Sequence, residues 1–206
     1  MQEHIEKKFP KASAVLRVRE LTLETAAEDV QALLTFLRDD KKLMFTQLID
    51  LCGVDYLGYE HAERPSHLRF AVVYHLLSMV HNQRIRVKVF LTESDLNVPT
   101  ANGIFPAAGW YEREAYDMYG INFTGHPDLR RLLTDADFVG FPLRKDFPLE
   151  GHVEVYYDAK EKRVAYKPVD LPQELRHFDR VSEWKGMTGN AGLADADNTF
   201  NANEFK

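Results

Sequence analysis

Leu68-Arg69-Phe70-Ala71-Val72-Val73-Tyr74-His75-Leu76-Leu77 and, after a turn around Asn82, Arg84-Ile85-Arg86-Val87-Lys88-Val89-Phe90-Leu91 decide the fold of this chain. In the second run Ile85, Val87, Val89 and Leu91 alternate with Arg84, Arg86 and Lys88, which is the period-2 pattern of a half-buried strand with one apolar and one basic face. The first run alternates Leu68, Phe70, Val72, Tyr74 and Leu76 with a second set that is itself largely apolar, as in a strand buried on both faces. Together they predict an antiparallel hairpin. Working outward, Val54–Tyr59 reads as a further strand and Val15–Leu23 as an extended segment. Thr25-Ala26-Ala27-Glu28 has the form of a capping box. Val30, Leu33, Leu34 and Leu37 follow at helical spacing, predicting a helix over about 26–38. Phe45, Leu48, Ile49 and Cys52 repeat that spacing and predict a short second helix, interrupted by Gly53. The fold class expected is α+β: a small antiparallel or mixed sheet with helices on one face, followed by an extended, loop-rich C-terminal segment.

The chain has 206 residues and a formal net charge of -6, so a nucleic-acid partner is not expected. Its one cysteine, Cys52, rules out an internal disulfide and a Cys-ligated iron–sulfur or zinc site built from this chain alone. The apolar setting of Cys52 reads as packing rather than nucleophilic chemistry. Met1–Pro10 is charged and unlike a secretory signal. No apolar run approaches the roughly 20 residues that span a bilayer, so membrane contact is expected only through a partner. The histidines form no H-x-x-x-H or H-E-x-x-H pair, and no nucleophile elbow, phosphate loop or dinucleotide fingerprint is present. Catalytic, cofactor-binding and metal-ligating residues are therefore expected to be absent from this chain.

Trp110–Gly151 has a different character. Aromatics, Gly, Pro and charges of both signs are interleaved there without a sustained period. A helix over 108–119 capped by Gly120 is predicted, then a turn at Gly125–Asp128 and a short helix opened by Pro127 and carrying Leu129, Leu132 and Leu133. His126 is expected to cap that helix or bond the backbone. Glu112, Glu114 and Asp117 could serve as a catalytic carboxylate cluster if two were held at a substrate with split pKa values. The simpler expectation is pairing with Arg113, which stands four residues before Asp117. Arg130, Arg131, Arg144 and Lys145 alternate with Asp128, Asp135, Asp137 and Asp146 among phenylalanines and leucines. Charges interleaved with aromatic anchors suit a protein–protein interface.

Three blocks carry a resemblance: Glu112-Arg113-Glu114-Ala115-Tyr116-Asp117-Met118-Tyr119-Gly120-Ile121, then Gly125-His126-Pro127-Asp128-Leu129-Arg130-Arg131-Leu132-Leu133-Thr134, then Pro142-Leu143-Arg144-Lys145-Asp146-Phe147-Pro148-Leu149-Glu150-Gly151. In this order they resemble the C-type (30-kilodalton-type) subunit family of respiratory complex I, the NADH:quinone oxidoreductase. Val54-Asp55-Tyr56 and Glu174–Asp179 extend the likeness, which covers most of residues 20–184. The chain lacks a long D-like extension and so looks like the separate form rather than the C/D fusion.

The resemblance implies a non-catalytic structural and assembly subunit in the peripheral arm of a proton-pumping translocase. That complex passes electrons from NADH through FMN and iron–sulfur clusters to quinone, with ubiquinone the expected acceptor. No cofactor is expected on this chain. Its implied neighbours are chiefly the D-type (49-kilodalton-type) and B-type subunits, on the cytoplasmic side of a bacterial inner membrane or the matrix side of the mitochondrial one. Interface or scaffold roles fall to Trp110, Glu112, Arg113, Glu114, Asp117, Arg130, Arg131, Asp137, Arg144, Lys145 and Asp146. The expected organisation is a docking domain over 1–91 and a motif segment over 92–151 continuing it. A partner-wrapping tail over 152–184 and a disordered end over 185–206 complete it. The tail contains a hairpin, with Val153, Val155 and Tyr157 facing Val164 and Tyr166 across a turn at Asp158–Arg163. Alternatives are the equivalent scaffold of a membrane-bound hydrogenase-type complex and, from another class, a free-standing enzyme using the carboxylates near Glu112 and Asp117.

Overall fold

The computed structural model describes residues 1–17, 20–59 and 68–172. In chain order the elements are α1 (Gln2–Lys8), β1 (Ser13–Arg17), β2 (Glu20–Thr25), α2 (Val30–Asp39), β3 (Gln47–Asp55), β4 (Phe70–Ser78), β5 (Gln83–Leu91), β6 (Asn97–Pro99), α3 (Ala108–Tyr119), β7 (Asn122–Thr124), β8 (Val153–Asp158) and β9 (Arg163–Pro168). They fall into two compact units, Met1–His152 and Val153–Lys206.

In the first unit the hairpin expected from the alternating runs forms β4 and β5, with Val72 opposite Val89, Tyr74 opposite Val87 and Leu76 opposite Ile85. It is the centre of a five-stranded sheet in the order β1-β2-β5-β4-β3. Pairing is antiparallel except between β2 and β5, which run parallel. The segment read as one extended piece over 15–23 is thus parts of two antiparallel strands, β1 and β2. Register places Leu23, Val87, Tyr74 and Leu51 side by side on one face. On that face they join a single buried cluster with Ile5 of α1, Val30, Leu33, Leu34 and Leu37 of α2, and Ala108 and Ala115 of α3. All three helices therefore cover the same face, as α+β class requires. Each fully buried leucine contributes about 1.5–3 kcal/mol by leaving water.

Four local expectations fail for physical reasons. The strand read over Val54–Tyr59 stops at Asp55, whose side chain accepts the Leu57 N–H and turns the chain ahead of Gly58 at φ 70°. The segment read as a second helix is the start of β3. A bulge between Leu48 and Asp50 inserts an extra residue, so Leu48 and Leu51 face the core three positions apart and imitate a helical repeat. Thr25–Glu28 makes no side-chain cap: a 3-10 turn over Ala27–Asp29 leads into α2 without one. After Pro127 no helix forms over 128–134, because the backbone amides there are taken by a carboxylate described below. α1, by contrast, lies in a segment read only as charged, and its core contact is the single residue Ile5.

α3 lies directly on β3. A Cβ at Gly53 would sit 2.5 Å from Tyr119 Cδ2, so only glycine permits this approach. The helix ends where expected, at Gly120 in the left-handed conformation (φ 76°), whose N–H donates to the Tyr116 carbonyl.

The second unit, over its described residues, is the expected hairpin β8–β9. Val153 pairs with Pro168, Val155 with Tyr166 and Tyr157 with Val164, which sets six apolar side chains on one face. The other face carries Glu154 opposite Lys167, which form an ion pair, and Asp158 opposite Arg163. The block Glu174–Asp179, the rest of the expected tail beyond 172 and the end over 185–206 lie outside the described residues.

Candidate functional site

The chemistry-bearing residues gather on α3 and on the loops that return to it. α3 presents Glu112 and Asp117 inward, both 0% exposed, and Trp110 and Glu114 outward. The two buried carboxylates serve different loops.

Glu112 holds the segment after β6. Its Oε2 accepts from the Thr100 hydroxyl at 2.5 Å and its Oε1 from the Ala101 N–H at 2.6 Å. His126 Nε2 lies 3.9 Å away. His126 Nδ1 accepts the Asp128 N–H, so Nε2 carries the hydrogen and points it at the Gly109 carbonyl, 3.1 Å away. This fulfils the expectation that His126 bonds the backbone. Burial pushes the Glu112 carboxyl up, against the Thr100 and Ala101 hydrogen bonds.

Asp117 organises the 131–134 loop. Its Oδ2 accepts the N–H groups of Leu132, Leu133 and Thr134 at 3.0, 2.7 and 2.9 Å. Its Oδ1 accepts from Arg131 Nη1 at 2.8 Å and from the Thr134 hydroxyl at 2.5 Å. Burial works against ionisation here, yet the Thr134, Leu133 and Arg131 donors hold this carboxyl well below the usual range. Three successive amides on one carboxylate form an anion-binding turn supplied by the protein's own side chain.

The expected Arg113–Asp117 pair is thus not made. Arg113 donates instead to the carbonyls of Arg130 and Arg131, both at 3.2 Å, and stacks on the exposed ring of Trp110 at 5.3 Å. Arg131 takes Asp117, and Arg130 takes Asp128 at 2.9 Å on the surface. Glu114 and Asp137 stand exposed and apart from these pairs.

A second node joins the sheet to the loop over 141–147. Arg69 pairs bidentately with Asp55, at 3.0 and 2.9 Å, and also with Glu93 at 2.7 Å and Asp146 at 3.0 Å. Asp55 additionally accepts the Lys145 N–H at 2.9 Å. Arg144 lies between the rings of Phe70 and Phe141, at 5.0 and 4.3 Å, and its Nε donates to the Tyr119 carbonyl at 2.7 Å. Lys145 Nζ sits over the Tyr59 ring at 5.9 Å.

Of the residues expected in the site, Glu112, Arg113, Asp117, Arg130 and Arg131 come together around the 126–134 turn. Arg144, Lys145 and Asp146 join the second node. Arg69, Glu93, Thr100 and Thr134 escaped sequence reading. Only Asp55 left a trace, a carboxylate among the apolar residues of a strand. Glu112 and Asp117 diverge in pKa as an acid–base pair would. Each, however, is fully buried and occupied by donors of its own chain, so the pair presents no open pole to a substrate. Burial also pushes the Cys52 thiol up, away from thiolate chemistry. Among the described residues no group of three or more His, Cys, Asp or Glu side chains could hold a metal ion. Nor is any described helix long and apolar enough to cross a membrane.

Residues 23–153 match the family described as "Respiratory-chain NADH dehydrogenase, 30 Kd subunit". The chain is 59% identical over 175 residues to the first C-type subunit of the NADH-quinone oxidoreductase of Rhizobium meliloti (strain 1021), covering 85% of this chain and 83% of that one. It is 55% identical over 187 residues to the C-type subunit of the NADH-quinone oxidoreductase of Hyphomonas neptunium, covering 90% and 89%. Among solved structures it is similar to the trypsin-resistant fragment (1-134) of Nqo5, with TM-score 0.52 and 32% identity over 62% of this chain and 96% of that one. It is also similar to a chain of the membrane-bound sulfane sulfur reductase, an archaeal respiratory membrane complex, with TM-score 0.58 and 27% identity over 72% and 84%. With its buried carboxylates turned inward to bind its own loops, the chain belongs to the 30 Kd subunit family of the respiratory-chain NADH dehydrogenase.

Proposed function

We propose that this chain is the separate C-type component of a proton-pumping NADH:quinone oxidoreductase and acts there as a non-catalytic scaffold. The holoenzyme moves electrons from NADH through FMN and iron–sulfur clusters to quinone, ubiquinone being the expected acceptor. This chain carries none of those cofactors. It sits in the peripheral arm on the cytoplasmic side of a bacterial inner membrane, braced chiefly against the D-type and B-type subunits, and it meets the membrane only through the complex.

The observation that carries this reading is the β8–β9 hairpin. A two-stranded ribbon has little independent stability in water. Here one face is wholly apolar, and Val153, Val155, Tyr157, Val164 and Tyr166 all stand exposed, Tyr157 at 65%. Such a face is what a partner covers. The first unit separately exposes aromatic and aliphatic side chains on the motif segment: Trp110, Leu133, Val139, Leu143 and Leu149. The family and the relatives support NADH:quinone oxidoreductase as the assembly.

A native gel of solubilised membranes tests the reading. The chain should migrate with the band that stains for NADH dehydrogenase, and Val155→Glu should remove it from that band. The likeness to the sulfane sulfur reductase complex keeps one second reading, the same scaffold in a hydrogenase-type respiratory complex. A chain migrating with that kind of complex, and not with the NADH-dehydrogenase stain, would establish it instead.

A further inference from the structure

Two arginines meet where β4 begins, and they are treated oppositely. Arg69 is ringed by Asp55, Glu93 and Asp146. Arg144 has none of them. Among the described residues its one side-chain hydrogen bond runs from Nε to the Tyr119 carbonyl, and no carboxylate lies within ion-pair distance. Its guanidinium is nevertheless fixed. Phe70 and Phe141 clamp its faces, and Gly120 leaves it room: a Cβ there would stand 2.7 Å from Nη2. Burial and the neighbouring Arg69 charge both disfavour its cationic form. An arginine cannot answer by losing its proton at ordinary pH. What relieves such a group is an anion at the Nη edge, which a planar guanidinium binds through two parallel hydrogen bonds.

The surroundings narrow the anion. Lys145 adds a second cation whose side chain makes no ion pair among the described residues. Beside it opens a surface groove of about 360 Å³ whose lining includes Tyr56, Tyr59, Tyr119, Leu143 and Lys145, with Asp55, its one carboxylate, already paired to Arg69. Leu143 at its rim is 51% exposed. Tyrosine walls, an exposed leucine and two adjacent cations suit a peptide that carries a carboxylate next to an apolar side chain. The chain's own carboxylates Asp55, Glu93 and Asp146 favour the Arg144 charge only from a distance, because each pairs directly with Arg69.

We propose that Arg144, flanked by Lys145, is the receptor for a carboxylate presented by a neighbouring protein of the assembly, whose adjoining apolar side chain fills the tyrosine-lined groove. The proposal rests on the reading of this chain as one component of a larger complex and names the chemistry of one contact within it.

The test uses the complex purified from membranes. A zero-length carbodiimide joins an amine to a carboxylate in contact with it. Lys145 in the unaltered chain, and the amine introduced by Arg144→Lys, therefore report the neighbour directly by mass spectrometry. The expected result is a cross-link from position 144 or 145 to an Asp, Glu or C-terminal carboxylate of another protein in the complex. Cross-links confined to Asp55, Glu93 or Asp146 of the same chain overturn the proposal, as does an assembled complex in which both positions stay unreacted. Should Arg144→Lys fail to assemble, an arginine-directed dicarbonyl on the unaltered protein decides. Arg144 should be protected in the complex and modified in the free full-length chain, and equal modification in both overturns the proposal. In the free full-length chain, inorganic phosphate that protects Arg144 as effectively as an acidic peptide points to a small-anion site and also overturns it. If the unaltered chain never co-purifies with NADH dehydrogenase, it is the assembly reading that fails. If it co-purifies without the cross-link or the protection, only the carboxylate contact falls.

Discussion

The five-stranded sheet with its helices and the loops over 122–151 are ordered by different forces. The sheet region is held by area: Leu33, Leu34, Leu37, Tyr74, Val87 and their neighbours leave water together. The loops expose Leu133, Val139 and Leu149 and are held by directed polar bonds, five of them on Asp117 alone. A core of the first kind tolerates small shifts of its parts, because burial has no direction. A loop of the second kind keeps its shape without a core but depends on single atoms. A surface built that way can stay apolar outward and still hold one conformation for a partner.

The largest effect that separates the two regions is expected from Asp117→Ala. It leaves Arg131 and three amides without their acceptor and should cost about 4 kcal/mol, as breaking one side of a buried pair does. Hydrogen exchange should show 131–134 opening while the amides of β4 and β5 keep their protection. Equal loss in both regions would show that the loops and sheet are one cooperative body. Leu37→Ala should cost about 3 kcal/mol through a cavity. Here the order reverses: the thermal midpoint of the whole chain should fall with no selective opening of the loop. Gly120→Ala tests the joint between the regions. A residue with a Cβ at φ 76° costs roughly 1–2 kcal/mol, and the new methyl meets Phe141 and Arg144. Limited proteolysis should then cut near 141–145 faster than in the unaltered chain.

The smallest effect concerns pH, and the two buried carboxylates give it opposite signs. The Asp117 carboxyl is lowered on folding, so its contribution is complete above the ordinary carboxylate range and is lost as pH falls below it. The Glu112 carboxyl is raised on folding by burial, so its protonated form favours the native state, and that advantage is lost as pH rises through its folded pKa. Acid should therefore open 131–134 before it disturbs the Thr100–Ala101 contact. Glu112→Gln should flatten the dependence of thermal midpoint on pH from the ordinary carboxylate range upward, at a cost near 1 kcal/mol. An unchanged slope would remove Glu112 from that titration.

Much of the sheet could be read in advance, because alternation is a local signal and β4–β5 carries it for nine residues in each strand. α2 and α3 were legible for the same reason, with Gly120 marking an end. Where reading failed, a second pattern imitated the first. The bulge at Leu48/Asp50 turned a strand into an apparent helix, and Pro127 opened no helix because Asp117, ten residues earlier, had claimed the amides that follow. Asp117, Arg131, Arg144 and Asp146 could be singled out as charges among aromatics, but their pairing could not. Arg69 meets Asp55 across 14 residues and Glu93 across 24, and Asp55 meets Lys145 across 90. Nothing in the spacing of such residues chooses among many possible partners, and the reasonable choice at short range, Arg113 with Asp117, was the one the fold did not make.

The parallel pairing of β2 with β5 governs how the chain can be born. Thr22 and Arg86, bonded across that pair, are 64 residues apart, whereas β3, β4 and β5 pair in sequence. On the ribosome the β1–β2 ribbon emerges well before β5 and has nowhere to dock. α2 likewise has its leucines free and no completed sheet to cover. Only when Leu91 has left the exit tunnel can the β3–β4–β5 meander close locally and then admit β2 alongside it. For that interval the nascent chain displays the apolar faces of β2 and α2, and a chaperone that holds residues 20–39 would determine its yield.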